Sequence, residues 1–420
     1  MEDIALDKQK LMNTMRVYDE YEKRFAEARI KKPMRFPTDE KTRSEIRDEV
    51  KKILAYDEKL VPEICGMTEV SSEKLDGYSV KQLRYNTWKN VYASASLYLP
   101  DTNKKMPLIF LFCGHGKDGR LTEGYALMAR KLVRLGAAVI VPDNIGQGDR
   151  EDMGHWHSVG PFYCGLTLQG MIVMESVALI RYMKCDSRFD PDKFAACGNS
   201  GGGTLCLFLA ALAPELCALS SSGYPSEFSY ILSKERPHCS CNLLPGIAHG
   251  PEMWEVLSLF ATKPLLIEQG EMDYLIPVDF FQRNARKVKN TYIQMGSREN
   301  FEFALTKESH SWTDSDRYII AKFLAKVLGI KEPNEERDAD EAFIKCLERW
   351  HVDMPSDALT LDEAAEMLTG KKMPEGTALR DIYPPTFNSK PLSPDEIISD
   401  IGRGDVMKIL AQMECALKKT

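Results

Sequence analysis

The fold is decided by the stretch Phe194-Ala-Ala-Cys-Gly198-Asn199-Ser200-Gly201-Gly202-Gly203-Thr-Leu-Cys-Leu-Phe-Leu-Ala-Ala-Leu212. A short apolar run enters a Gly-Asn-Ser-Gly-Gly-Gly corner, and a long apolar, helix-forming run leaves it. Strand, G-x-S-x-G, helix is the order that presents a serine hydroxyl on a sharp, strained turn. A side chain at Gly198 or Gly202 would collide there with the neighbouring strand and helix. The pattern taken alone also fits a glycine-rich helix start with no chemistry, so its surroundings must decide.

Working outward, strand and helix patterns alternate. Pro107–Cys113 reads as a buried strand, Glu123–Leu135 as an amphipathic helix stopped by Gly136, and Ala137–Val141 as the next strand. Leu166–Met183 is a long helix whose Met171, Met174, Val177 and Ile180 form a core stripe. Beyond the corner, Cys217–Ser221, Pro264–Gln269 and Thr291–Met295 read as strands and Asp314–Leu328 as a closing helix. Upstream, Tyr78–Tyr85 and Val91–Leu99 alternate with period two and form an antiparallel hairpin. The expected class is α/β: a mostly parallel sheet with an antiparallel N-terminal hairpin and helices on both faces.

Residues 1–60 form a helical extension, with helices at Lys8–Ala28 and Asp39–Ala55, the second capped by Thr38. Residues 61–330 hold the catalytic domain. Residues 331–420 are a second helical extension, with capping boxes at Thr360-Leu-Asp-Glu363 and Ser393-Pro-Asp-Glu396. This extension could brace the body, shape the pocket or mediate self-association into a homo-oligomer.

The 62 acidic and 55 basic residues leave a net charge of −7, which argues against nucleic acid or an anionic membrane as the main partner. Met1-Glu-Asp-Ile-Ala-Leu-Asp lacks the pattern of a signal peptide, and no apolar stretch reaches membrane-spanning length. Eleven cysteines, several in apolar runs (Cys197, Cys206, Cys217), read as buried reduced thiols. A cytoplasmic protein is expected.

A serine nucleophile needs a base to take its proton and a carboxylate to orient that base. After Ser200, the strand ending at Gln269 runs into Gly270-Glu-Met-Asp273, and Ser309-His310-Ser-Trp312 precedes the closing helix. Ser200, Asp273 and His310 therefore stand in a workable order on suitable loops, with Glu271, Glu268 and Glu227 as alternative acids. Oxyanion donors would be the backbone N–H of Gly201 and of His115, or of Lys117, in Cys113-Gly-His-Gly-Lys117. That same loop raises a rival. Gly114-x-Gly116-x-x-Gly119, with Asp143 ending the next strand, matches a dinucleotide fingerprint but leaves the serine, acid and histidine unexplained. Trp156, His157 and Arg150 lie on a loop that could line the substrate pocket. His155-x-His157 and the group His238, Cys239, Cys241 are weighed as metal ligands and read as loop residues instead. No metal and no cofactor is expected.

Cys113-Gly-His-Gly116, Pro142-Asp-Asn-Ile-Gly-Gln-Gly148, the serine corner, Cys239-Ser-Cys-Asn-Leu-Leu-Pro-Gly246, Gly270-Glu-Met-Asp273 and Ser309-His-Ser-Trp312 together resemble an α/β-hydrolase of the acetyl xylan esterase and related carbohydrate-esterase type. The resemblance spans residues 106–330. It implies a serine esterase that cleaves a small acyl ester, acetyl foremost, on a soluble sugar or glycoside. Glucuronoyl esterases of similar layout carry an arginine after the nucleophile; Gly201 here argues against that reaction. Peptide or lactone cleavage by the same residues, and an inactive hydrolase fold serving as a binding module, are the remaining alternatives.

Overall fold

The computed structural model describes residues 33–377, apart from 156–157, 234–238, 243, 245, 248–249 and 335–339. The expected helix Lys8–Ala28 and the Ser393 capping box lie outside the described residues, as do Trp156, His157 and His238.

The described strands form one nine-stranded sheet in the order β1-β2-β3-β5-β4-β6-β7-β8-β9. β1 (Cys65–Leu75), β2 (Tyr78–Asn86) and β3 (Tyr92–Pro100) are antiparallel, so the expected hairpin is the inner part of a three-stranded meander. β1 is almost wholly exposed and shows no apolar alternation, which is why composition does not announce it. β5 (Ala138–Pro142), β4 (Met106–Phe112), β6 (Phe189–Asn199), β7 (Ala218–Ser222), β8 (Leu265–Gly270) and β9 (Phe301–Thr306) run parallel.

Two local expectations are corrected. Thr291–Met295 is not a strand. Thr291 and Tyr292 complete the buried stripe of Phe281, Asn284, Ala285 and Val288 along a helix spanning Val278–Gln294. Their β-branched and aromatic character is outweighed by that 3.6-residue periodicity. The last strand is β9, a half-exposed edge. The N-terminal helix, α1 (Glu40–Leu54), is capped by Asp39 rather than Thr38: the Asp39 carboxylate accepts the Thr42 N–H at 3.0 Å.

α2 (Glu123–Arg134) follows β4, and α3 (Gly160–Cys164) and α4 (Leu168–Met183) follow β5. α5 (Gly201–Leu212) follows β6. It is apolar all round and buried from Gly202 onward, as a helix enclosed by sheet and other helices must be. α6 (Phe228–Ser233) and α7 (Met253–Ser258) fill the β7–β8 crossover, α8 (Val278–Gln294) joins β8 to β9, and α9 (Asp314–Leu328) closes the body. Leu205, Leu207, Phe208 and Leu209 of α5 are fully buried, each worth roughly 1.5–3 kcal/mol. No helix among the described residues is long and apolar enough to cross a membrane.

Both flanking regions join the same cores. Ile46, Val50 and Leu54 of α1 pack on one sheet face with Leu361, Ala364 and Ala365 of α11 (Leu361–Thr369). Phe343 and Leu347 of α10 (Glu341–Leu347), with Trp350, pack on the other. Behind them stands a buried polar hub. Arg120 is fully buried, ion-pairs with Asp143 and Asp149, and donates to the Ser96 hydroxyl and the Trp350 carbonyl. Asp149 also accepts from His351 Nδ1 and the Val352 N–H. The segment after residue 331 therefore braces the loop that follows β5.

The chain passes from β4 to β5 on one side and then crosses to β6 on the other, so the topological switch lies between β4 and β6. Open α/β sheets form their ligand crevice at the carboxyl ends of the strands at that point. Here those ends carry Cys113-Gly-His115 and Ser200.

Candidate active site

Ser200 sits between β6 and α5 at φ 57°, ψ −116°, a backbone region a non-glycine residue occupies only under constraint. Two bonds hold it there: the Ser200 N–H donates to the Ser222 carbonyl at 3.0 Å, and Thr204 N–H donates to the Ser200 carbonyl at 2.9 Å. The flanking glycines are obligatory. A Cβ at Gly198 would lie 2.4 Å from the Gly202 carbonyl oxygen, and one at Gly202 would lie 1.9 Å from that of Phe112. This is the strained strand-to-helix turn of a nucleophile elbow.

The loops after β8 and β9 bring Asp273 and His310 together, with Asp273 Oδ2 accepting from His310 Nδ1 at 2.7 Å. Asp273 is held on every side: Oδ1 accepts the N–H of Leu275 at 2.7 Å and of Ile276 at 3.1 Å, and Oδ2 accepts Gln269 Nε2 at 2.7 Å. Protonation of Nδ1 leaves the lone pair on Nε2, which is buried and has no hydrogen-bond partner among the described residues. Gly223 links His310 to the elbow. It follows Ser222, and a Cβ on it would lie 3.2 Å from His310 Cε1 and 2.4 Å from Asn199 Oδ1.

None of the three alternative acids is placed to orient His310. Glu227 pairs with Arg283 and Lys287, and Glu271 is exposed. Glu268 is buried beside Asp316 of α9. Burial, reinforced by the Asp316 charge, pushes its carboxyl well above the usual range, and burial raises Asp316 as well.

The loop after β4 lies over the elbow, since a Cβ on Gly114 would stand 2.9 Å from Ser200 Cβ. Two amides fix its shape: Gly114 N–H donates to the Tyr125 hydroxyl at 2.8 Å, and Gly116 N–H to Gln147 Oε1 at 3.0 Å. The His115 ring lies against Gly201, whose own Cβ would be 2.9 Å from both Nδ1 and Cε1. An imidazole thus fills the space a side chain after the nucleophile would need.

Arg150, expected to line the pocket, does not. It is 2% exposed and forms a two-pronged ion pair with Glu175 at 2.8 Å, because the α4 carboxylate lies directly beneath it. The dinucleotide rival also loses its anchor. The Asp143 carboxylate accepts from Ser94 Oγ and Arg120 N–H and is ion-paired with Arg120. Gly119, at φ 49°, leaves room for that carboxylate. Gly119 and Asp143 serve the buried hub instead, and Gly114 and Gly116 shape the loop over the elbow.

Several site residues have no clear mark in the sequence. Tyr125 and Gln147 shape the loop from a distance. Tyr274, 72% exposed, presents its ring edge-on to His310 with centroids 6.2 Å apart, and its only signal is adjacency to Asp273. A side-chain group also forms next to the elbow from His115, His155, Cys239 and Cys241. Hydrogen bonding from Cys239 holds the Cys241 thiol well below its usual range, with His115 adding to the effect, while burial raises Cys239.

Sheet order and elbow define an α/β-hydrolase. Within that class the chain resembles the acetyl xylan esterases, whose family model matches residues 65–233, and it is a carboxylic ester hydrolase. Over 201 residues it is 23% identical to the hydrolase YtaP of Bacillus subtilis (strain 168), covering 47% of this chain and 67% of that protein. The methylesterase BT1017 superposes with a TM-score of 0.62 at 21% identity, covering 83% of this chain and 78% of its own. A CE15 glucuronoyl esterase from Teredinibacter turnerae T7901 superposes with a TM-score of 0.53 at 15% identity, covering 68% and 84%. At these identities the two structural likenesses are of fold.

Proposed function

We propose that Ser200, His310 and Asp273 act as a nucleophile–base–acid triad that removes a small acyl group, acetyl foremost, from a soluble sugar or glycoside. The observation that carries this reading is the 2.7 Å bond from His310 Nδ1 to Asp273, which leaves Nε2 as the basic nitrogen beside the elbow. Nε2 takes the Ser200 proton as Oγ attacks the ester carbonyl. The N–H groups of Gly201 and His115 hold the oxyanion, and the alcohol leaves with the proton from His310. Water, activated by the same nitrogen, then releases the acid and restores the serine.

The small acyl group is favoured by the family match and by the commitment of Arg150 to Glu175, which removes one cation that could have held a sugar carboxylate. The family match stops at residue 233, so the roles of Asp273 and His310 rest on geometry. The exposed Tyr274 ring beside His310 suits the apolar face of a sugar. Reduced, buried cysteines favour a cytoplasmic setting.

Ser200→Ala should abolish p-nitrophenyl acetate hydrolysis and labelling by a fluorophosphonate, and a panel of acetylated oligosaccharides should rank above aryl esters of long acids. Undiminished hydrolysis by the folded alanine variant would remove Ser200 from the mechanism.

A further inference from the structure

Three loops at the carboxyl edge of the sheet converge on one point beside the elbow. The loop after β4 supplies His115, the loop after β5 supplies His155, and the β7–β8 crossover supplies Cys239 and Cys241. One ligand-capable atom from each lies within 4.8 Å of all the others. His115 Nε2 is 3.0 Å from His155 Nε2, His155 Nε2 is 2.6 Å from Cys239 Sγ, and Cys241 Sγ is 3.5 Å from His115 Nε2. His155, Cys239 and Cys241 are buried. His115 is exposed as a residue but turns Nε2 toward them.

We propose that His115, His155, Cys239 and Cys241 bind a tetrahedral zinc ion that clamps the loop over the elbow in place. Nothing in the hydrolase chemistry uses these four side chains, so the site stands independently of the proposed esterase reaction.

Size, charge and orientation each favour zinc. Zn–N bonds of about 2.0–2.1 Å and Zn–S bonds of about 2.3 Å give tetrahedral edges of about 3.3 Å between two nitrogens and about 3.6 Å between nitrogen and sulfur. His115 Nε2–His155 Nε2 and Cys241 Sγ–His115 Nε2 lie within about 0.3 Å of those edges, and His155 Nε2–Cys239 Sγ must open by about 1 Å to admit the ion. Two thiolates and two neutral imidazoles balance a divalent cation, and a neutral assembly is what a buried site requires. Binding displaces to solvent whatever protons the two sulfurs and the metal-facing imidazole nitrogens hold, and no electron is transferred. The Ile145 carbonyl accepts from His155 Nδ1 at 2.7 Å, which fixes the tautomer with its lone pair on Nε2, facing the sulfurs. Support of this kind from a backbone carbonyl is the usual second contact of a ligating histidine.

Four protein ligands close the coordination shell, so the ion is structural. Its effect would pass through His115, whose ring packs on Gly201 and whose backbone belongs to the oxyanion loop. It would also tie the β7–β8 crossover to that loop. The sequence hides this set because its members are far apart. His155 meets His115 across space, from a loop 40 residues away in sequence.

The test uses the full chain, reduced, freed of metal by chelator under anaerobic conditions and titrated with cobalt(II). One equivalent should produce tetrahedral d–d bands and thiolate-to-cobalt charge transfer, both lost on adding one equivalent of zinc. In the zinc-loaded chain, Cys239 and Cys241 should be alkylated by iodoacetamide at least tenfold more slowly than in the metal-free chain. His155→Ala should lower zinc affinity by at least tenfold. If that variant does not fold, the wild-type alkylation comparison decides alone. Equal alkylation of the two cysteines with and without zinc, or octahedral cobalt without charge transfer, would overturn the proposal.

Discussion

The imidazole of His115 occupies the place where a side chain at position 201 would stand, 2.9 Å from a Cβ built on Gly201. Position 201 is therefore a glycine for a local reason: the loop after β4 is packed directly against it. Gly201→Ala should push the ring and its loop away from the elbow. With the donor displaced by a fraction of an ångström to one ångström, kcat for p-nitrophenyl acetate should fall by about 10²-fold. KM should change much less. A fully active, folded Gly201→Ala enzyme would show that the His115 loop takes no part in catalysis.

Asp273 fixes the tautomer of His310, and its two oxygens are otherwise filled by the Leu275, Ile276 and Gln269 donors. Asp273→Asn keeps the shape but offers an amide in place of an acceptor for Nδ1–H. Nε2 should then carry the proton, and kcat should drop by about 10⁴-fold with substrate binding preserved. Steady-state kinetics with fluorophosphonate titration checks this. A loss below tenfold would mean that another carboxylate orients the base.

How far the site could be read in the sequence follows from distance along the chain. The elbow is contiguous, and its glycines state their own steric requirement. Asp273 and His310 were readable because each directly follows a strand end, where the fold gathers its loops. β8 is legible as a strand in the sequence and β9 is not, so the sequence sets His310 after a strand at Thr291–Met295, whereas the strand before it is β9. Thr291 and Tyr292 carry strand-like side chains at the end of a helix, and only their alignment with Phe281, Ala285 and Val288 reveals it. The choice between Glu175 and a substrate for Arg150, or between zinc and a plain loop for Cys239, depends on partners from other elements. Neither can be settled by local pattern.

The Arg120 hub gives a prediction about stability rather than turnover. Arg120 neutralises two buried carboxylates, Asp143 and Asp149, and reaches the Trp350 carbonyl. Arg120→Met keeps the volume but leaves both charges without their partner, which should cost about 3–5 kcal/mol. A urea titration should show the midpoint falling accordingly. Ending the chain near Ile330 removes Trp350, His351 and Val352 from the same hub and should also lower the midpoint. A midpoint unchanged by either alteration would mean that the C-terminal segment is not a brace.

Glu268 and Asp316 make stability depend on pH in a defined direction. Both carboxyls are raised by burial, Glu268 well above its usual value of 4.5 with the Asp316 charge adding to the effect. Asp316 Oδ2 accepts from the N–H and hydroxyl of Thr313, and the Asp316 and Glu268 carboxyls are hydrogen-bonded to each other, an arrangement that holds a proton between the two acids. Because the folded state holds this proton more tightly than the unfolded chain, its stabilising contribution is complete at acid pH. It is lost as pH rises through the raised folded value. The nearby Asp273 charge works in the same direction on Glu268. Glu268→Gln keeps a neutral hydrogen-bonding group and does not titrate. Its unfolding midpoint should match the wild type near pH 4 and exceed it increasingly at higher pH, with a differential slope of at most about 1.4 kcal/mol per pH unit for one proton. Carboxylates stabilised by ion pairs elsewhere in the chain give an opposite slope common to both proteins, so the difference isolates this pair. Urea midpoints measured at several pH values decide the matter: a difference that does not vary with pH would mean that Glu268 is ionised in the folded protein throughout.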